Sequence, residues 1–190
     1  MHTWGLTGER TTREGILLSL LEEFRTCGFD GVSLSRISEV TGLGKASLYH
    51  HFPGGKAEMA QGVMTLAWGW LEGNVFAPLE ADGDPAARLE AVVQALEGFY
   101  AQGRKSCLLD VMPISGGPEV KAAVKAVMER LATGFTMLAA DAGLSEAQAA
   151  ARAEHALVAL QGSLVLARGL GDPGPFLRQM QSLRERFLSA

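Results

Sequence analysis

An all-α fold follows from three features of the 190-residue sequence. Apolar residues recur three and four apart in one segment after another, no run alternates with the two-residue period of a strand, and Gly or Pro closes nearly every segment. Composition agrees: 47% of residues are apolar, enough for a true core, while aromatics reach only 7%. Frequent Ala and Leu favour helix. The spacing predicts a three-helix module over residues 9–56, then a helical bundle over residues 57–190, with about nine helices in total.

Residues 1–8 carry two Gly and no periodicity, and read as a loose arm. Thr11 or Thr12 caps the first helix, and Thr11 with Glu14 fits a capping box. Leu17, Leu20, Leu21 and Phe24 form its buried stripe, Cys27 ends that face as a small hydrophobe, and Gly28 is the stop signal. From Ser33 to Lys56 the chain reads as two short helices across a tight turn. Ser33 or Ser35 caps the first, and Leu34, Ile37 and Val40 give it an apolar stripe. Gly42 lets the chain reverse through a left-handed residue. Leu43 fills the corner, Leu48 and Phe52 face the second helix inward, and Pro53-Gly54-Gly55 stops it.

This is a helix-turn-helix, and the outward side of its second helix has the chemistry of a DNA reader. Lys45, Ser47, Tyr49, His50 and His51 can bond phosphate oxygens or base edges, and the small Ala46 lets the backbone approach a groove floor. Ser33 at the first helix start and Lys56 at the start of the next complete the expected contacts. The run Gly42-Leu43-Gly44-Lys45-Ala46-Ser47-Leu48-Tyr49-His50-His51-Phe52 closely resembles the signature of the tetracycline-repressor-like (TetR) family of transcription regulators, with Leu-Tyr-His-His-Phe its most specific part. Members usually have one residue fewer between that Phe and the Lys; the longer Phe-Pro-Gly-Gly-Lys connection resembles the multidrug-regulator (LmrA/YxaF-like) branch. The motif covers about a third of the chain.

Charge does not announce a nucleic-acid binder. The chain has a formal net charge of −4, and residues 1–56 hold six cationic and six anionic side chains. A neutral module implies modest non-specific affinity, so weight falls on specific contacts and on dimerisation.

Beyond the module, a fourth helix runs from Lys56 to about Phe76, with Met59, Val63, Leu66, Trp70 and Leu71 inward. Gly62, Gly69 and Gly73 in its interior permit a bend or close packing, or simply weaken it. Pro78 to Pro85 reads as a loop. A fifth helix carries Leu89, Val92, Val93, Leu96, Phe99 and Tyr100 and ends at Gly103. Residues 104–118 suggest a short buried helix broken by Ser115-Gly116-Gly117-Pro118. Glu119 opens a long helix to about Ala142. Ser145 caps the next, which reaches about Arg168, and a last helix follows Pro175.

Other chemistry is missing. Gly54-Gly55-Lys56 lacks the remaining positions of a phosphate loop, and Gly42-Leu43-Gly44 lacks both the third Gly and the preceding strand of a dinucleotide site. Four His and two Cys, Cys27 and Cys107, give neither metal-ligand spacing nor a disulfide framework. No enzyme, no cofactor and no metal are expected. No membrane span or signal peptide is visible, so the expected location is cytoplasmic.

The resemblance implies a homodimeric repressor that binds double-stranded DNA at a near-palindromic operator and leaves it when a small apolar or amphipathic effector binds. Candidate effector contacts are Trp68, Trp70, Phe99, Tyr100, Cys107, Met112, Met128 and Phe135, which could equally be solid core. Apolar stripes on the last two helices, through Ala153, Leu157, Leu160, Leu164, Met180 and Leu183, could fold into one core or meet a second copy; the resemblance favours the second copy. The competing class is an interaction or scaffold protein whose helix-turn-helix packs on another protein.

Overall fold

The computed structural model describes residues 12–112 and 117–189, and among them every regular element is helical. They are α1 (Arg13–Gly31), α2 (Leu34–Thr41), α3 (Lys45–His51), α4 (Gly55–Leu71), a π turn (Glu72–Phe76), α5 (Ala77–Glu80), α6 (Pro85–Phe99), α7 (Leu108–Val111), α8 (Pro118–Asp141), α9 (Glu146–Leu170) and α10 (Gly174–Arg186). Because α4, the π turn and α5 run on without a break, the chain has about nine separate helical rods over these residues. The expected N-terminal arm, Thr11 and the break at Ser115-Gly116 lie outside the described residues.

The chain divides into two compact units. The first runs to Gly69 and adds Leu108–Lys121; the second comprises Trp70–Cys107 and the chain from Ala122 onward. The first unit is built on α1, whose N-cap is Thr12, its hydroxyl accepting from the Gly15 amide at 3.1 Å. Ile16, Leu20 and Phe24 are fully buried with Ile37, Phe52, Met59 and Val63. Gly62 lets α4 approach α1 closely: a Cβ there would sit 2.7 Å from Leu17 Cδ2. Gly69 and Gly73 have open space around them.

Two sequence expectations need correction, while Gly28 interrupts α1 as expected: it takes φ +67° and divides the helix from a last turn that ends at Gly31. There the backbone lies against α7, with Val111 O only 3.3 Å from where a Cβ would be. Cys27 is exposed, not part of the apolar face. The stretch from Pro78 is helical to Glu80, and only 81–84 form a loop. Pro78 is tolerated because it follows the wide turn, where the ordinary ladder is already interrupted. In that turn the Ala77 amide donates to Glu72 O, five residues back, and the Asn74 side-chain amide donates to Trp70 O at 2.8 Å.

The second unit packs α6, α8, α9 and α10 around Val92, Val93, Phe135, Leu138, Phe176 and Met180. A Ser145–Gln148 capping box starts α9. Two arginines tie helices together. Arg184 on α10 grips Glu90 and Glu97 on α6 at 2.7–3.1 Å. Arg130 on α8 grips Glu72, at the start of the π turn, and Glu80, beyond its end, and stands 4.2 Å from the centroid of Phe76. These hydrogen bonds hold Glu80 and Glu90 below the usual carboxylate range. Both carboxylates therefore take up protons more readily in the unfolded chain. Their stabilising contribution is complete above about pH 4.5 and drains as pH falls through the depressed native values. A melting-temperature series from pH 6 to pH 3 should fall below about pH 4.5, and Glu90→Gln should flatten part of that fall.

Candidate nucleic-acid interface

The helix-turn-helix is assembled from short-range rules. Ser33 caps α2, accepting from the Arg36 amide at 3.1 Å. Arg36 is held by both oxygens of Glu23 and by Glu39 at 2.8–3.0 Å, which keeps its guanidinium neutralised on the surface. Gly42 takes φ +71°, and its amide donates to Ser38 O, closing the helix. The turn is reinforced by Thr41, whose buried hydroxyl donates to Ile37 O at 2.7 Å and accepts from the Leu43 amide at 3.3 Å. Sequence reading missed Thr41, although a Thr one residue before the turn Gly is the signal that could have found it.

Leu48 and Phe52 are buried and fix α3. Lys45, Ala46, Ser47, Tyr49 and His50 are thereby turned outward, with His51 half-buried. The two imidazoles stand edge to face, 5.6 Å between ring centroids. No carboxylate lies on α3, so its exposed face is polar and cationic. Ser33 is exposed too, but its hydroxyl is engaged as the cap.

Lys56 departs from the simple picture of a helix-start phosphate ligand. Gly55, not Lys56, opens α4, and the ammonium of Lys56 lies 4.4 Å from the ring centroid of Phe29 on α1. The neighbouring Gly54 amide is already taken by Glu58 Oε2 at 2.8 Å, and Glu58 also accepts from Arg13 at 3.0 Å. The Gly54 amide and Arg13 hold Glu58 below its ordinary range. Glu58 and Arg13 were not legible as site residues; a Glu in the first turn of a helix is a weak capping signal.

Four of the eight effector candidates come together within the second unit. In the second unit Trp70 stacks on Phe99 at 4.4 Å, Phe99 meets Tyr100 edge to face, and the Tyr100 hydroxyl lies 3.2 Å from Cys107 Sγ. Phe135 packs instead against Phe187, and Met128 is half-buried on α8. Trp68 and Met112 belong to the first unit. Surface clefts in the second unit are lined by other side chains, one by Arg104, Lys105 and Arg168, another by His155, Gln179 and Phe187.

The self-association candidates need a clearer correction. Ala153, Leu160, Leu164, Met180 and Leu183 are buried within this chain, where α9 packs on α10, and Leu157 is half-buried. The five buried residues are core of this chain, and Leu157 is not among them. The exposed apolar residues of these helices are Val158, Val165, Leu166, Leu170 and Leu177.

No helix over the described residues is long and apolar enough to cross a membrane. Residues 16–63 match the family model of bacterial regulatory proteins, tetR family. The HTH-type transcriptional regulator LmrA of Bacillus subtilis is 31% identical over 100 residues, 53% of this chain and 50% of that protein. The uncharacterized HTH-type transcriptional regulator YxaF of the same organism is 28% identical over 47% of each chain. The match thus spans about half the length of these curated relatives. Over the whole fold, the crystal structure of a TetR transcriptional regulator from Legionella pneumophila superposes with a TM-score of 0.80 at 18% identity, covering 96% of this chain and 98% of that one. Residues 16–63 therefore match the tetR-family model across the helix-turn-helix, in a chain whose all-helical fold is shared with a solved TetR transcriptional regulator.

Proposed function

We propose that this chain is a DNA-binding transcriptional regulator, a repressor that a small apolar or amphipathic ligand releases from a near-palindromic operator. The observation that carries the reading is the outward face of α3. Lys45, Ser47, Tyr49 and His50 are exposed together, while Leu48 and Phe52 anchor the helix behind them. Residues 9–56 read DNA; residues 57–190 bind ligand and self-associate. In a twofold dimer the two α3 helices would enter successive major grooves about 34–36 Å apart.

The outer face of α9 supports self-association. Val158, Val165 and Leu166 are exposed, and Gly162 and Gly169 on the same helix have nothing within 4 Å of a side-chain position. That face is apolar and open to close helix approach, as a helical dimer seam requires. For the ligand, the stacked Trp70–Phe99 pair with Tyr100 and Cys107 gives an aromatic wall of the right chemistry.

A mobility shift with DNA from upstream of the protein's own gene, over a salt series, tests the reading. Tyr49→Ala should keep the wild-type melting temperature and weaken operator binding, because Tyr49 is 46% exposed. Lys45→Ala should relax preference at one operator position if it meets a base edge. Lys56→Ala should weaken all duplexes alike and lower the salt slope by about one counterion if its ammonium leaves Phe29 for a phosphate. If folded Tyr49→Ala protein binds the operator as tightly as wild type, α3 is not the reading element.

A further inference from the structure

Two glycines follow α3, and a side chain at either would crowd a neighbouring side chain. A Cβ on Gly54 would lie 3.1 Å from the Cβ of Glu58, and one on Gly55 would lie 3.3 Å from Cε1 of Tyr49. Gly55 also holds φ +65°, a left-handed conformation that disfavours residues with a Cβ. The ring of Tyr49 therefore rests on a bare Cα.

Both amides of the turn are engaged. Gly54 donates to Glu58 Oε2 and Gly55 donates to Phe52 O, each at 2.8 Å. The other Glu58 oxygen accepts from Arg13, whose guanidinium stands 4.8 Å from the ring centroid of the buried Phe52. The start of α1, the end of α3 and the start of α4 are thus clasped around the turn on which Tyr49 lies.

We propose that Gly55 and Glu58 are positioning residues for Tyr49: the Arg13–Glu58–Gly54 clasp fixes the turn, and the bare Cα of Gly55 seats the phenol ring, so that its hydroxyl is aimed before DNA arrives. This inference rests on the DNA-reading proposal above and adds the groups that set its geometry. An exposed Tyr loses rotamer freedom when a partner immobilises it. A ring already seated avoids most of that loss, a difference of roughly two- to tenfold in affinity.

The test uses the full chain. Wild-type protein selects a duplex from a random pool. Affinities for that duplex and a scrambled one are then measured for Gly55→Asn, Glu58→Ala and Glu58→Gln, each with Tyr49 intact and in a Tyr49→Ala background. Asn tolerates left-handed φ, so Gly55→Asn tests space more than strain. Melting curves accompany every variant. With Tyr49 intact, Gly55→Asn and Glu58→Ala should weaken the selected duplex by roughly two- to tenfold. In the Tyr49→Ala background the same changes should cost less than about twofold, the signature of coupled residues. Glu58→Gln keeps an acceptor for the Gly54 amide and should fall between wild type and Glu58→Ala. Equal losses in both backgrounds would overturn the positioning role and leave the DNA reading standing. Wild-type protein that selects no duplex would overturn the DNA reading and this inference with it.

Discussion

Leu48→Ala should lower stability by about 2–5 kcal/mol and remove operator binding, while Tyr49→Ala, one residue along the same helix, leaves the melting temperature unchanged. Leu48 is 1% exposed, and with Phe52 it is the attachment of a seven-residue helix that has no side-chain cap. A helix that short has little stability of its own and depends on packing. Truncating its anchor leaves a cavity that the turn at Gly42 cannot collapse to fill. Against a total of about 5–15 kcal/mol for a typical domain, the loss is large. Thermal melts paired with mobility shifts check the contrast. Equal melting temperatures for the two variants would mean that α3 is held by something other than Leu48.

The double variant Val158→Arg with Leu166→Arg should convert a dimer to a folded monomer. Affinity for a two-half-site duplex should then drop by roughly 10²–10⁴, the contribution of linking two binding modules. Both residues lie on the outer face of α9, 66% and 55% exposed, so the arginines reach water in the monomer and melting is preserved. Leu160→Arg should behave differently. It is 2% exposed, and a guanidinium there would be a buried, unpaired charge, giving insoluble or unfolded protein. Light scattering at micromolar concentration separates the outcomes; a wild-type monomer would remove the proposed seam.

The contrast between these two variants also marks where the sequence stops being readable. In α2 and α3 the anchoring apolar residues fall on one side, so Ile37, Leu48 and Phe52 could be placed inside and Tyr49 outside from spacing alone. Gly42 followed from backbone chemistry at a turn, and the cap was narrowed to Ser33 or Ser35, of which the fold uses Ser33. In α9, Leu160 and Leu164 face the core while Val158, Val165 and Leu166 face out. A helix apolar on two sides does not announce which side belongs to its own chain; only the position of α10 decides it. Long-range ion pairs were equally hidden, because Arg13 and Glu58 are 45 residues apart and nothing local links them. The packing partners of the aromatic candidates were hidden for the same reason. Residue type identified Trp70, Phe99 and Phe135, but the fold packs Phe135 against Phe187, away from the Trp70–Phe99 pair.

The π turn at Glu72–Phe76 carries one residue more than an α-helical turn would hold. A single-residue deletion at Gly73 or Asn74, both exposed, would give back an ordinary ladder and leave the side chains on both flanks facing as they do now. The same deletion at Thr65 would turn everything beyond it by about 100° and carry polar positions into the core. Changes of chain length within this rod are thus confined to one short stretch. Arg130 is strapped to Glu72, the first residue of that stretch, and to Glu80 beyond its end.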